Sequence, residues 1–355
     1  MNKVFNDETL KLARNYLGLS QKDFASRLSV SQALISNIEK SRKPLTEELV
    51  VKLKNEFGNY FFNQNIEEPL LKVYYRASAT IAKKFTDLFE ARLKIIANNI
   101  NSLLELVEIQ DNRIPKKDLE DFELDAEYLA REIREYFGLG NSPIKDLVRL
   151  LERNGVIIHF FEYDFISSQN KSFDGVSFYI SGVPVILINN KIQGARKMFT
   201  LAHELGHLIM HNHIDFIFEK DRDTEKEANI FASEFIAPKR ALRGEFSRLT
   251  IEKLFSLKSY WKLSVSALLY KAKEMTLSPD QYRRWITRLA PYRRHEPYDI
   301  DVSSPLLLRR MIEVAENDFN SKNEFLDYLG LSNELFNEIY SVNQIDDKTK
   351  LRIVI

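Results

Sequence analysis

Strand-forming signal is confined to one stretch of this chain, and that confinement limits the fold more than any other feature. Residues 156–161 form a β-branched and aromatic run, residues 175–180 alternate, and Ser181-Gly182 leads into a third run at 183–188. A two-residue break of that kind between two strands spells a tight hairpin. Nearly everything else carries apolar residues at three- and four-residue spacing, the period of an amphipathic helix. The expectation is an α+β chain, with a small sheet set among helices. At 355 residues it also exceeds what one core supports. Punctuation by Gly, Pro and polar runs divides it into residues 1–60, a helical connector over 61–120, a central domain over 121–280 and a helical region over 281–355.

Residues 8–57 read as four short helices. Gly18 ends the first, Ser20 caps a second that carries Phe24, Ala25 and Leu28, and Ser31 caps a third that turns Leu34, Ile35 and Ile38 inward. Pro44 stops that run, and Thr46 opens a fourth with Glu47 and Glu48 in its first turn. Helix, turn, helix over 21–40, with Ser29-Val30 in the turn, is the arrangement that sends a second helix into the major groove of DNA. The groove-facing residues are then Ser31, Gln32, Ser36 and Asn37, of which Gln and Asn suit adenine edges. Lys40, Arg42 and Lys43 are placed to hold phosphates, which position without specifying. A protein ligand could use the same surface.

The densest chemistry lies in the helical run around residues 199–210. His203-Glu204-Leu205-Gly206-His207 is HExxH, and four of the chain's six histidines fall within residues 203–213. A spacing of four puts both imidazoles on one helix face, where both reach one cation. Zinc lowers the pKa of a bound water from about 16 towards 7, and Glu204 beside the histidines can take its proton. Gly206 costs about 1 kcal/mol of helix propensity and so calls for a packing reason.

A third ligand is open at this stage. His213 has the spacing of the HExxHxxGxxH pattern, but Met210 stands where that pattern turns on Gly. His211 lies a further turn up the same face, where it can cap the helix C-terminus. On the following helix Ala228, Phe231, Ala232 and Phe235 form a buried stripe with Glu227 at its edge, so Glu227 can complete a His-His-Glu site with one position open. Thr224-x-x-Glu227 also spells a capping box, which would occupy that carboxylate otherwise.

These residues carry a resemblance. The run 199–207, then Glu227-Ala228-Asn229 with Phe231, Ala232 and Pro238, together with 174–177 and 185–189 of the hairpin, resembles the ImmA/IrrE family of metallo-endopeptidases over roughly residues 121–275. Residues 1–60 are similar to the repressor-like (XRE, Cro/cI-like) helix-turn-helix family. The first resemblance implies a zincin-like fold holding one Zn2+ per chain on His203, His207 and Glu227, with Glu204 as the base. It further implies cleavage of one specific transcriptional repressor, releasing stress or mobile-element genes. Besides zinc, a peptidase needs a donor for the developing oxyanion, and Tyr179 on the hairpin is the candidate. Two rival functions remain. One is a helix-turn-helix regulator whose metal site is structural or sensory and cuts nothing. The other is an antirepressor that acts by binding alone.

Composition adds exclusions. The 51 basic and 51 acidic residues cancel, so DNA binding must come from a local patch, and a homodimer would raise the modest affinity of one module. No cysteine is present, which rules out disulfides and thiolate ligands and suits a reducing compartment. The first ten residues lack a secretory apolar core and no stretch is long enough to span a membrane, so the cytoplasm is expected and no membrane partner. The arginines at 283, 284, 288, 293 and 294 with His295, then Arg309 and Arg310, could form a second nucleic-acid surface, but such a charge run reads first as a solvated face. Residues 320–340 read as a small helical unit built on Phe325, Leu329, Leu331, Leu335 and Phe336.

Overall fold

A computed structural model describes residues 7–57, 83–123, 125–162, 174–211, 222–292 and 296–340. These form two compact units. One comprises residues 1–109, 163–172 and 306–355, the other residues 110–162 and 173–305.

The first unit opens with α1 (Asp7–Tyr16), α2 (Gln21–Arg27), α3 (Gln32–Ile38) and α4 (Glu47–Phe57). Local chemistry sets their ends. Ser20 Oγ accepts from Asp23 N–H at 3.2 Å and Ser31 Oγ from Leu34 N–H at 3.2 Å, so each serine satisfies an orphan donor of the helix it starts. Gly18, with φ +64°, takes the left-handed position that closes α1. Leu10, Ala13, Phe24, Ile35, Ile38, Leu49 and Leu53 are fully buried and form the centre of this group.

Next comes the long helix α5 (Lys83–Leu106), against which α1 packs. Within the stretch read as a helical connector over 61–120, residues 83–106 bury apolar side chains on several faces: Phe89, Ile95, Ile100 and Leu103 are all inaccessible. Its remaining surface is covered from the far end of the chain, as described below.

In the second unit, α6 (Ala126–Tyr136) and α7 (Leu147–Glu152) precede β1 (Ile157–Phe161), β2 (Gly175–Ile180) and β3 (Val183–Asn189). The expected hairpin forms. Ser181 and Gly182 both have positive φ, +48° and +83°, the geometry of a turn whose twist matches the strands it joins, and β2 pairs antiparallel with β3. The sheet order is β1-β3-β2, with β1 parallel to β3. As the middle strand β3 is buried along nearly its whole length, which accounts for its unbroken Val-Ile-Leu-Ile run.

Helices α8 (Gly194–Met210) and α9 (Thr224–Ile236) pack against each other, and α8 also lies on β2 and β3. Short α10 (Lys239–Leu242), then α11 (Ile251–Trp261), α12 (Val265–Met275) and α13 (Pro279–Arg288), complete the unit. The end of α9 is pinned firmly. Buried Arg134 donates to the carbonyls of Gly140, Phe235 and Ser142, and Glu234 accepts from the Lys239 N–H and from buried Lys271. No described helix is long and apolar enough to cross a membrane.

The chain then returns to the first unit through α14 (Leu307–Glu316), α15 (Lys322–Leu329) and α16 (Asn333–Tyr340). Phe325, Leu329, Leu331, Leu335 and Phe336 are buried there, as their spacing suggested, and α14 packs on α5. Fully buried Asn99 of α5 donates to the Leu329 carbonyl at 3.0 Å and accepts from the Tyr340 hydroxyl at 3.2 Å. An amide left unpaired at that depth would cost about 1–3 kcal/mol, so Asn99 selects the docked position.

Candidate metal centre

Helix α8 supplies the first half of the site. Its apolar side faces the core through Leu201, Ala202, Leu205, Leu208 and Ile209, all inaccessible. That fixes the rotation of the helix and leaves His203 and His207 together on the side towards α9. Their Nε2 atoms are 3.0 Å apart. Gly206 now has its packing reason: a Cβ there would stand 3.0 Å from the Phe231 ring of α9, so the missing side chain lets the two helices approach.

Two carboxylates from α9 meet this face, and they divide differently from expectation. Glu225 places Oε2 3.3 Å from His203 Nε2 and Oε1 3.3 Å from His207 Nε2. Glu227 is not brought to the pair. It lies against His211 Nε2 at 2.9 Å and takes Arg222 Nε and Nη2 at 3.0 and 2.9 Å. The physical reason is rotational phase. Residues 225 and 227 point about 200° apart around a helix, so one turned towards the histidines excludes the other. Asn229, one turn after Glu225, accepts from His203 Nδ1 at 3.1 Å and registers α9 against α8. The capping box does not form either: Asp223 is the N-cap, accepting from Lys226 N–H at 3.1 Å.

The geometry suits a tetrahedral cation. Ligands at about 2.0–2.1 Å from zinc are separated by roughly 3.3 Å along a tetrahedron edge. His203 Nε2, His207 Nε2 and a Glu225 oxygen form a group with mutual separations within 4.8 Å, and their closest approaches are the 3.0 and 3.3 Å just given. With Nδ1 of each histidine engaged elsewhere, a cation taking the place of the Nε2 protons would meet both Nε2 lone pairs at one centre. Hydrogen bonds from His203 and then His207 hold the Glu225 carboxyl well below the usual carboxylate range. At His203, burial favours the neutral ring, but Glu225, Glu204 and Asn229 together outweigh it and push its pKa up.

Glu204 is buried beside His203, with which it interacts electrostatically. The start of β2 runs alongside it. A Cβ on Gly175 would collide with Thr200 at 2.6 Å and come within 3.2 Å of Glu204 Cγ, so only glycine lets the strand approach the helix here. Tyr179, further along the same strand, is not brought to the cluster. Its hydroxyl donates to the Leu208 carbonyl at 3.2 Å, Lys116 lies over its ring, and burial pushes its pKa up to about 12.

His211 is the C-cap residue of α8, as its position allowed, but its ring faces inward: Nδ1 is 2.9 Å from His207 Nδ1, and burial pulls its pKa down to about 4. The alternative ligand His213 lies outside the described residues. Glu225, Asn229 and Arg222 are contributors to which sequence reasoning gave no part in the site, and His211 was expected only as a helix cap. The one signal for the first two was their spacing of four, the same as that of the histidines.

In the first unit, Ser31, Gln32, Lys40, Arg42 and Lys43 are exposed, while Ser36 and Asn37 are half-buried on α3. Glu39, at the end of α3, is occupied by Arg14 and Gln21, so it does not set a free negative charge on that surface.

Comparison with known families agrees with both halves of this description. No curated protein matches the chain. The helix-turn-helix family matches residues 10–60, and the IrrE N-terminal-like domain family matches residues 155–273, a span that holds the sheet, α8 and α9. The chain thus combines a segment similar to the IrrE N-terminal-like domain family, residues 155–273, with one similar to the helix-turn-helix family, residues 10–60.

Proposed function

We propose that this chain is a cytoplasmic zinc-dependent endopeptidase that cleaves a specific transcriptional repressor and thereby releases stress or mobile-element genes. His203, His207 and Glu225 hold one zinc ion per chain, with Glu225 in the place first expected for Glu227. The observation that carries this reading is the convergence of those three ligand atoms at tetrahedral-edge distances beside an intact Glu204. Three protein ligands and one open position make a catalytic set rather than a closed structural one. Zinc held there supplies a Lewis acid for the scissile carbonyl and a lowered pKa for water.

The chain's own groups do the rest. Glu204 takes the proton from the attacking water and delivers it to the leaving amine. Among the described residues β2 pairs only with β3, and an extended peptide laid along its outer edge would pass Glu204 at Gly175. Tyr179 keeps a packing role. On the first unit Ser31, Gln32, Ser36 and Asn37 read bases, and Lys40, Arg42 and Lys43 hold phosphates, bringing the enzyme to the promoter its substrate occupies. A homodimer would raise that affinity.

The test is a whole-cell survey of protein N-termini under several stresses, wild type against Glu204→Gln. A new N-terminus inside one DNA-binding protein, absent from the variant, supports the peptidase and names its substrate. No difference, with both proteins expressed and zinc-loaded, leaves a regulator whose metal site does not cut.

A further inference from the structure

We infer that His211 and Glu227, with Arg222 behind them, form a directed hydrogen-bond relay that fixes the tautomer and ring orientation of His207. The two carboxylates of the Glu225-Lys226-Glu227 segment thus divide the work: one meets the metal, the other meets the histidine that meets the metal. The inference rests on the proposed ligand set.

Proton placement follows from the contacts. His207 can give a cation its Nε2 lone pair only if its proton sits on Nδ1. That nitrogen is 2.9 Å from His211 Nδ1, so His207 donates and His211 accepts. The proton of His211 is then on Nε2, which points at Glu227 Oε2 at 2.9 Å, an acceptor. Glu227 takes two N–H bonds from Arg222, which cannot act as an acceptor. Each link has one consistent direction: donation runs outward from His207 through His211 to Glu227, where Arg222 donates from the other side. The two histidines are therefore supported unequally. His203 leans on the single amide of Asn229, whereas His207 leans on a three-membered chain ending in a bidentate ion pair. The relay also joins the C-cap residue of α8 to the residue just before the N-cap of α9.

Partners of this kind typically hold 10–100-fold in metal affinity. The test measures zinc affinity of the full-length, metal-stripped chain by competition with a chromogenic chelator, with thermal unfolding of each metal-free variant as the control. His211→Phe keeps the volume and loses the acceptor, so zinc should bind 10–100-fold more weakly. His211→Asn sets an amide oxygen near the Nδ1 position and should recover most of that loss. Glu227→Ala, at a partly exposed site, should weaken zinc about tenfold without changing the metal-free unfolding. Cobalt substituted for zinc should show altered visible bands in His211→Phe and near-native ones in His211→Asn.

Failure of the wild type to bind zinc overturns the ligand set itself. Wild-type affinity in both His211→Phe and Glu227→Ala overturns the relay alone. Equal losses in His211→Phe and His211→Asn also overturn it, by showing a packing role. Should His211→Phe not fold, Glu227→Ala decides by itself.

Discussion

The helix-turn-helix surface and the metal centre are assembled by opposite means. On the first unit the residues proposed to face DNA come from one unbroken run, residues 31–43, and each helix of the motif begins at its own serine. In the second unit the chemistry is split between α8 and α9, and neither half is complete without the other. Local interactions suffice for the one. The other depends on how far one helix is rotated about its axis against another, which is a property of packing. A locally built surface should tolerate damage elsewhere in the chain, and a jointly built site should not.

The sharpest way to separate the two is Glu204→Gln. Peptide cleavage should fall about 10²–10⁴-fold, the usual contribution of a general base, while zinc content and promoter binding stay at wild-type levels. Parallel loss of DNA binding in a mobility shift would break the comparison.

Zinc itself tests the same division on the scale of stability. At roughly 1,000 times its dissociation constant the ion should add about 4 kcal/mol to the second unit. Amides of the first unit should show no such protection in hydrogen exchange. Glu225→Ala should abolish the effect along with bound zinc, whereas Glu227→Ala should only shift it to higher concentrations.

Smaller effects belong to the first unit. Replacing Lys40, Arg42 and Lys43 by Ala should flatten the salt dependence of DNA binding by about 0.9 in the log-log slope for each phosphate contact removed. Wild-type slope in the triple variant would remove these residues from the interface. Ser20→Ala should cost about 1 kcal/mol of stability through the lost cap and leave zinc affinity unchanged.

How much could be read beforehand follows the same line. Caps at Ser20 and Ser31, the stop at Gly18, the turn at Ser181-Gly182 and the paired histidines are all short-range patterns, and the structure contains them. The choice between Glu225 and Glu227 was hidden, because the burial stripe of α9 alone does not say which edge faces α8. Asn229 resolves it, and its role is visible only with His203 beside it. Parallel pairing of β1 with β3 was equally out of reach, since nothing local marks a partner across a gap of more than 20 residues. So was the return of α14–α16 to α5: an amphipathic helix announces a buried face without an address. The aromatic pairs at 61–62 and 74–75 lie outside the described residues.

The return of the C-terminal helices gives the first unit an unusual dependence. Its N-terminal and C-terminal parts are joined covalently only through the intervening chain, residues 110–305, of which all but 163–172 belong to the second unit. While that chain is folded, its ends keep a fixed separation, and α14–α16 meet α5 as a tethered partner. Once it unfolds, the same connection becomes a floppy loop on the order of 200 residues, whose closure costs roughly 5 kcal/mol in chain entropy. Damage to the second unit would then loosen the grip of α14–α16 on α5 by polymer statistics alone. Conversely, a single protease nick within residues 110–305 would sever the tether yet need not part the pieces, because Asn99 and the apolar faces around it would still hold them together.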